Sequence, residues 1–135
     1  MIYDYIEKTV SDILKNQFSF TDNQILSKNE IPDDEISFFS RQVWTYGSLS
    51  EMGNNTNQVS DILTMEVYER KNDSENNIEL FVRELRTKLM NELSLVKYRG
   101  RVAKLRQITI DENINDIEWD SFTVSLTFQV INARV

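Results

Sequence analysis

Two segments of this chain alternate apolar and polar residues so regularly that each admits one local structure. Leu63-Thr-Met-Glu-Val-Tyr-Glu-Arg70 sets Leu63, Met65 and Val67 against polar neighbours, and Phe122-Thr-Val-Ser-Leu-Thr-Phe-Gln-Val130 alternates without a miss. Side chains two apart share one face of a strand, so this period describes a sheet with one face on a core and the other on solvent or a partner. Between the two strands, Ile78, Phe81, Val82, Leu85, Leu89 and Leu93 recur at helical spacing. They form a stripe able to cover the buried face. Asn72-Asp-Ser74 supplies helix N-caps, which predicts a helix from Ser74 that fades near Leu95. Glu79–Arg83 and Glu84–Lys88 are i,i+4 pairs in the favoured order and read as its solvated face.

The rest of the chain supplies the partners. Ile2, Tyr5, Ile6, Val10, Ile13 and Leu14 mark an amphipathic helix from Ile2 to about Gln17, with Asp4, Glu7, Lys8, Asp12 and Lys15 on its polar side. Ser19–Glu35 is polar and holds the only proline, Pro32, so it reads as a loop with one short element around Gln24-Ile-Leu26. Ile36–Tyr46 is rich in strand formers, but adjacent Phe38 and Phe39 require either two covered faces or a bulge. Gly47–Ser60 reads as a second long loop, in which Leu49 and Met52 are candidates for docking on a partner. Gly100 interrupts the chain, Leu105–Ile110 is a third clear strand, and Asp111–Asp120 is a polar connection into the last. The predicted order is α-β-β-α-β-β. It implies a single α+β domain over residues 1–135, with one mainly antiparallel sheet of about four strands, two helices on one face and two long loops.

Composition narrows the function by exclusion. The chain has no cysteine, hence no disulfide framework or thiol nucleophile, and no histidine, the side chain most used as a general base near neutral pH and as a transition-metal ligand. An enzyme is therefore not expected, and neither a cofactor nor a metal is. Three glycines, at 47, 53 and 100, cannot write a phosphate-cradling loop or a dinucleotide fingerprint. Asp111-x-Asn113-x-Asn115 opens like a calcium loop, then puts Asp116 where the turn needs glycine and Phe122 where the bidentate glutamate belongs. No apolar run approaches the roughly 20 residues that span a membrane, and Met1-Ile-Tyr-Asp opens directly as a helix without a basic, apolar leader. Synthesis and residence in the cytoplasm, or assembly there into something larger, is the expectation.

Net charge is −7, which disfavours general affinity for nucleic acid. The charge is unevenly placed. Lys97, Arg99, Arg101, Lys104 and Arg106 form a run of positive charges, and Asp111, Glu112, Asp116, Glu118 and Asp120 follow at once. One reading is a hairpin whose two sides neutralise each other, or merely two solvated patches. The sharper one is a head-to-tail interface in which the basic edge of one subunit meets the acidic edge of the next, an arrangement that closes into rings when the rotation allows.

The N-terminal amphipathic helix, the loop-rich first half, the strand ending in Val67-Tyr-Glu-Arg70, the helix from Ser74 and the alternating last strand together resemble the tail terminator and tail-to-head joining proteins of long-tailed bacteriophages. The resemblance lies in element order and size and supplies no signature string. It implies a ring, commonly six-fold, that caps the tail tube, stops its growth and presents a surface to the head connector. DNA would pass through unread, and a negative lumen would let it slide. It further implies a virion location after assembly in the host cytoplasm, no membrane, no small-molecule substrate and no catalytic residues to carry over. Two rival readings stand beside it. One is another small phage neck, head-completion or baseplate subunit. The other is a cytoplasmic ligand-binding module or carboxylate enzyme, for which Asp33, Asp34 and Glu35 are the candidates.

Overall fold

The computed structural model describes residues 1–51, 57–72, 77–114 and 116–132, with the backbone alone described at 47–51, 57–59 and 132. Helix α1 (Ile2–Phe18) buries Ile2, Tyr3, Ile6, Val10, Ile13 and Leu14 on one side and stops at Ser19, whose left-handed backbone turns the chain out of the helix. A 3-10 turn at Asp22–Gln24 leads into strand β1 (Ile25–Leu26), and Gln24 Nε2 donates to the Phe38 carbonyl at 3.1 Å, tying that turn to the sheet. Strands β2 (Phe38–Glu51) and β3 (Asn57–Arg70) form a long antiparallel hairpin. Helix α2 (Ile78–Leu93) follows, capped by Asn77, whose side chain accepts from the Leu80 N–H at 3.3 Å. Strands β4 (Leu95–Tyr98), β5 (Arg101–Asn113) and β6 (Trp119–Asn132) complete the chain.

The six strands lie in the order β1-β2-β3-β6-β5-β4 and curl into a half-barrel. This corrects the sequence expectation of about four antiparallel strands. Among the described residues there are six, and the sheet is mixed, because β1 runs parallel to β2. The hairpin loop inferred for Gly47–Ser60 is largely strand, since Leu49 pairs with Val59 and Glu51 with Asn57. Polar residues there satisfy the ladder through their backbone, which composition does not reveal. Helix α2 starts at Ile78, later than inferred. Of the proposed caps, Asp73 and Ser74 lie outside the described residues, as does Met52.

Core residues come from one face of the sheet: Leu63, Met65 and Val67 of β3, Val124, Leu126 and Phe128 of β6, Ala103 and Ile108 of β5, and Val96 of β4. The phase of β5 is kept by a bulge between Leu105 and Gln107. Leu105 pairs with Phe128 and Gln107 with Thr127, so Arg106 is the extra residue. The bulge puts Ala103 and Leu105 before it, and Ile108 and Ile110 after it, against the same core. Phe38 joins that core, where it meets Phe20 and Phe81 with ring centroids 5.1 and 5.0 Å away. Phe39 is buried on the opposite face against Tyr68, 4.8 Å away and stacked, and against the edge of Trp119. Both faces of β2 are therefore covered where the two phenylalanines stand.

The curl is visible in one residue. The Tyr3 ring lies 5.0 Å from Trp44 and 5.3 Å from Tyr46 on β2, while the Arg101 guanidinium of β5 stands 5.6 Å above it. Three strand spacings of about 4.8 Å separate β2 from β5 along the sheet. A single ring bridges them because the first turn of α1 lies inside the concavity.

Candidate assembly interface

Strand β5 begins basic and ends acidic. From Arg101 to Asp111 it rises about 30 Å, so the two charge runs occupy opposite ends of the sheet. The two runs do not face each other across a strand pair: Lys97 and Lys104 lie opposite Val102 and Leu95 in the β4–β5 hairpin, and Asp111 and Glu112 lie opposite Thr123 and Phe122 in the β5–β6 hairpin. Among the described residues, ion pairs join the N-terminus to Asp4, Lys15 to Asp22 and Arg83 to Glu79.

At the basic end, Lys97 and Lys104 are exposed, and Arg101 turns inward over Tyr3. Arg106 at the bulge donates from its guanidinium to Gln129 Oε1, with the Nε contact at 2.7 Å. Arg99 and Gly100 form the two-residue turn, with φ of 46° and 79°. Positive φ at both positions is the type I′ geometry that matches strand twist, for which asparagine-glycine is the favoured pair. Arginine at the first position carries a backbone cost of roughly 1 kcal/mol. Arg99 is exposed there, its guanidinium 5.2 Å over the Tyr98 ring.

At the acidic end, Asp111 and Glu112 are exposed on the last residues of β5. Asp116 turns the chain back, its Oδ1 accepting the Glu118 and Trp119 N–H groups at 2.9 and 3.1 Å. Glu118 is exposed, and its carbonyl accepts the Lys71 N–H at 2.9 Å. Asp120 stands apart from these on β6, where it lines a pocket of 350 Å³ with Glu69, Glu79 and Glu112. Nine of the ten charged candidates thus divide between two ends, with Arg106 midway along β5, and the acidic end further divides between two pockets. Among the described residues, no group of three carboxylates stands close enough to hold a metal ion.

The larger pocket, 680 Å³, opens on the sheet face away from the helices. Tyr68, Glu66, Ser121 and Thr123 line it from the sheet, and Glu112, Ile114, Asp116 and Ile117 from the β5–β6 connection. The Tyr68 hydroxyl donates to Glu66 Oε2 at 2.8 Å. Burial, reinforced by that bond and the Glu66 charge, raises the Tyr68 pKa to about 12. Beside Tyr68, the Trp119 ring meets it edge-on at 6.2 Å, and Arg70 lies 4.4 Å over that indole and donates to the Ile36 carbonyl at 3.3 Å. Ile114 and Ile117 are 79% and 91% exposed, large values for isoleucine.

The remaining candidates fare differently. Leu49 lies in β2, where its backbone pairs with Val59. Asp33, Asp34 and Glu35 are exposed on the connection between β1 and β2. Among the carboxylates, Asp61 and Glu69 are buried, and Glu7, which the sequence places on the polar side of α1, is half-buried. Burial, and then the charge of Asp4, push its pKa up, against a smaller opposing pull from Trp44. Glu7 lines a 300 Å³ pocket between α1 and β2 with Ser11 and Gln42. Gln42 Oε1 and Trp44 Nε1 are buried there without a hydrogen-bond partner, the Trp44 indole facing Glu7 outside hydrogen-bonding geometry. Helical periodicity placed Glu7 correctly on the polar side. What it lacked was the position of β2, which folds back over that side.

No family model matches the chain, and no curated protein does. One solved structure aligns over 94% of this chain and 94% of its own length, with a TM-score of 0.64 and 14% sequence identity. The likeness is one of fold. Among the described residues, no helix is long and apolar enough to cross a membrane.

Proposed function

We propose that this chain is a structural assembly subunit, a ring-forming tail terminator that caps a phage tail tube and joins it to the head connector. The observation that carries the reading is the separation of charge along β5, with Lys97, Arg99 and Lys104 at one end and Asp111, Glu112 and Asp116 at the other. A self-complementary pair of surfaces on opposite ends of one subunit is the requirement for heterologous, head-to-tail contact. Complementary charge sets the register of such contacts and disfavours wrong partners. The resemblance of the sequence to the terminator proteins supplies the biological setting: a virion neck, a six-fold ring, and DNA passing without sequence readout.

The test is native mass across protein concentration and salt, with purified tail tubes added in a second series. A closed oligomer, or a stoichiometric complex at tube ends, is expected, with association weakening as salt rises. A monomer indifferent to concentration and to tubes overturns the reading.

A further inference from the structure

We infer that the Arg99-tipped hairpin of one copy seats in the 680 Å³ pocket beside the β5–β6 connection of the next. This inference rests on the self-assembly reading above and adds the two surfaces that meet.

The knob is the β4–β5 turn. It projects Arg99 from an exposed tip, backed by the Tyr98 ring and flanked by exposed Lys97. Leu95, 49% exposed, adds apolar surface on the same short strand. The socket has matching chemistry. Glu66, Glu112 and Asp116 line it, Tyr68 provides an aromatic wall, and Ile114 and Ile117 project from its lip. A guanidinium can pair with the carboxylates through its fork of donors while its planar face lies on the phenol ring. Burying two isoleucines that are almost fully exposed adds a hydrophobic contribution that charge alone lacks. Knob and socket stand at opposite ends of β5, so one contact leaves both surfaces free for the next copies. That geometry propagates, and closes when the rotation between copies permits.

The chain lacks cysteine, so introduced thiols are unambiguous. Lys97→Cys and Ile117→Cys chains, mixed and oxidised, are expected to give a mixed dimer, whereas either variant alone gives little. A second variant, Arg99→Asn, puts the favoured residue into the type I′ turn, so the monomer folds at least as well while the knob loses its charge. It is expected to raise the concentration for half-association at least about tenfold. Arg99→Glu is expected to abolish association, and combining it with Glu112→Arg to restore it in part. Association that persists unchanged in Arg99→Asn, without the mixed disulfide, overturns this interface and leaves the self-assembly reading standing. A wild-type chain that never associates removes both.

Discussion

The Tyr3 hydroxyl, on the first turn of α1, donates a hydrogen bond to the Asp61 carboxylate of β3, 58 residues along the chain. Asp61 is fully buried on the core face, and Tyr3 is 9% exposed. Replacing Tyr3 with phenylalanine keeps the ring contacts to Trp44 and Tyr46 but removes this donor from a buried carboxylate. The expected loss is about 1–3 kcal/mol of unfolding free energy, read from urea denaturation. A neutral outcome would show that the bond carries no net stabilisation.

Burial first, and then the hydrogen bond to Asp61 and its charge, raise the Tyr3 pKa to about 12; Tyr68 reaches about 12 through burial and Glu66. Both folded values lie above the ordinary phenol value of 10.0. Below pH 10 the native and unfolded chains hold the same phenol protons. Between pH 10 and about 12 the unfolded chain releases protons that the native chain keeps, so stability falls as pH rises. Thermal melts across this window are expected to show a steep decline, shallower in Tyr3→Phe.

Glu7 is held above the ordinary carboxyl range, so its protonated form favours the fold. Stability from this group is present at acid pH and lost as pH rises through its folded pKa. Glu7→Gln is therefore expected to stabilise the protein at pH 7 and to make little difference at pH 3. Equal effects at both pH values would assign the change to packing instead.

Arg106 sets the phase of β5 as an inserted residue. Deleting it leaves Ala103, Leu105, Ile108 and Ile110 in strict alternation opposite Val130, Phe128, Leu126 and Val124, so all four still meet the core and only the local bend of the bulge is lost. The expected cost is about 0.5–3 kcal/mol with cooperative unfolding retained by circular dichroism, and loss of cooperativity would show that the bend itself is required. Arg106→Ala, which keeps the bulge, is expected to remain near wild type.

The same bulge explains how much of the fold was legible in the sequence. Leu63–Val67 and Phe122–Val130 hold a single phase, and both are central strands, β3 and β6. In β5 the alternation changes phase at Arg106, so only Leu105–Ile110 stood out from a strand of 13 residues. The outer reaches of β2 and β3 carry serine, threonine, asparagine and glutamine, whose side chains give no period to read although the backbone pairs. For the candidate interface, the charge runs were plain in the chain, but their placement at opposite ends depended on β5 being continuous from Arg101 to Asn113. The pocket joins Glu66 and Tyr68 to Ile114 and Ile117, residues about fifty positions apart, and no local pattern links them.

The sheet order also sets when the chain can fold. β6 is the last strand made, yet it lies in the middle, pairing with β3 on one side and β5 on the other. Until Trp119–Asn132 leaves the ribosome, β1-β2-β3 and β4-β5 are two separate fragments, each with an open apolar edge. The central pairing, Leu63 with Leu126, closes a loop of more than sixty residues and comes late. Closure of the sheet therefore waits for β6, and a nascent chain shortened anywhere before β6 is a substrate for chaperones and proteases.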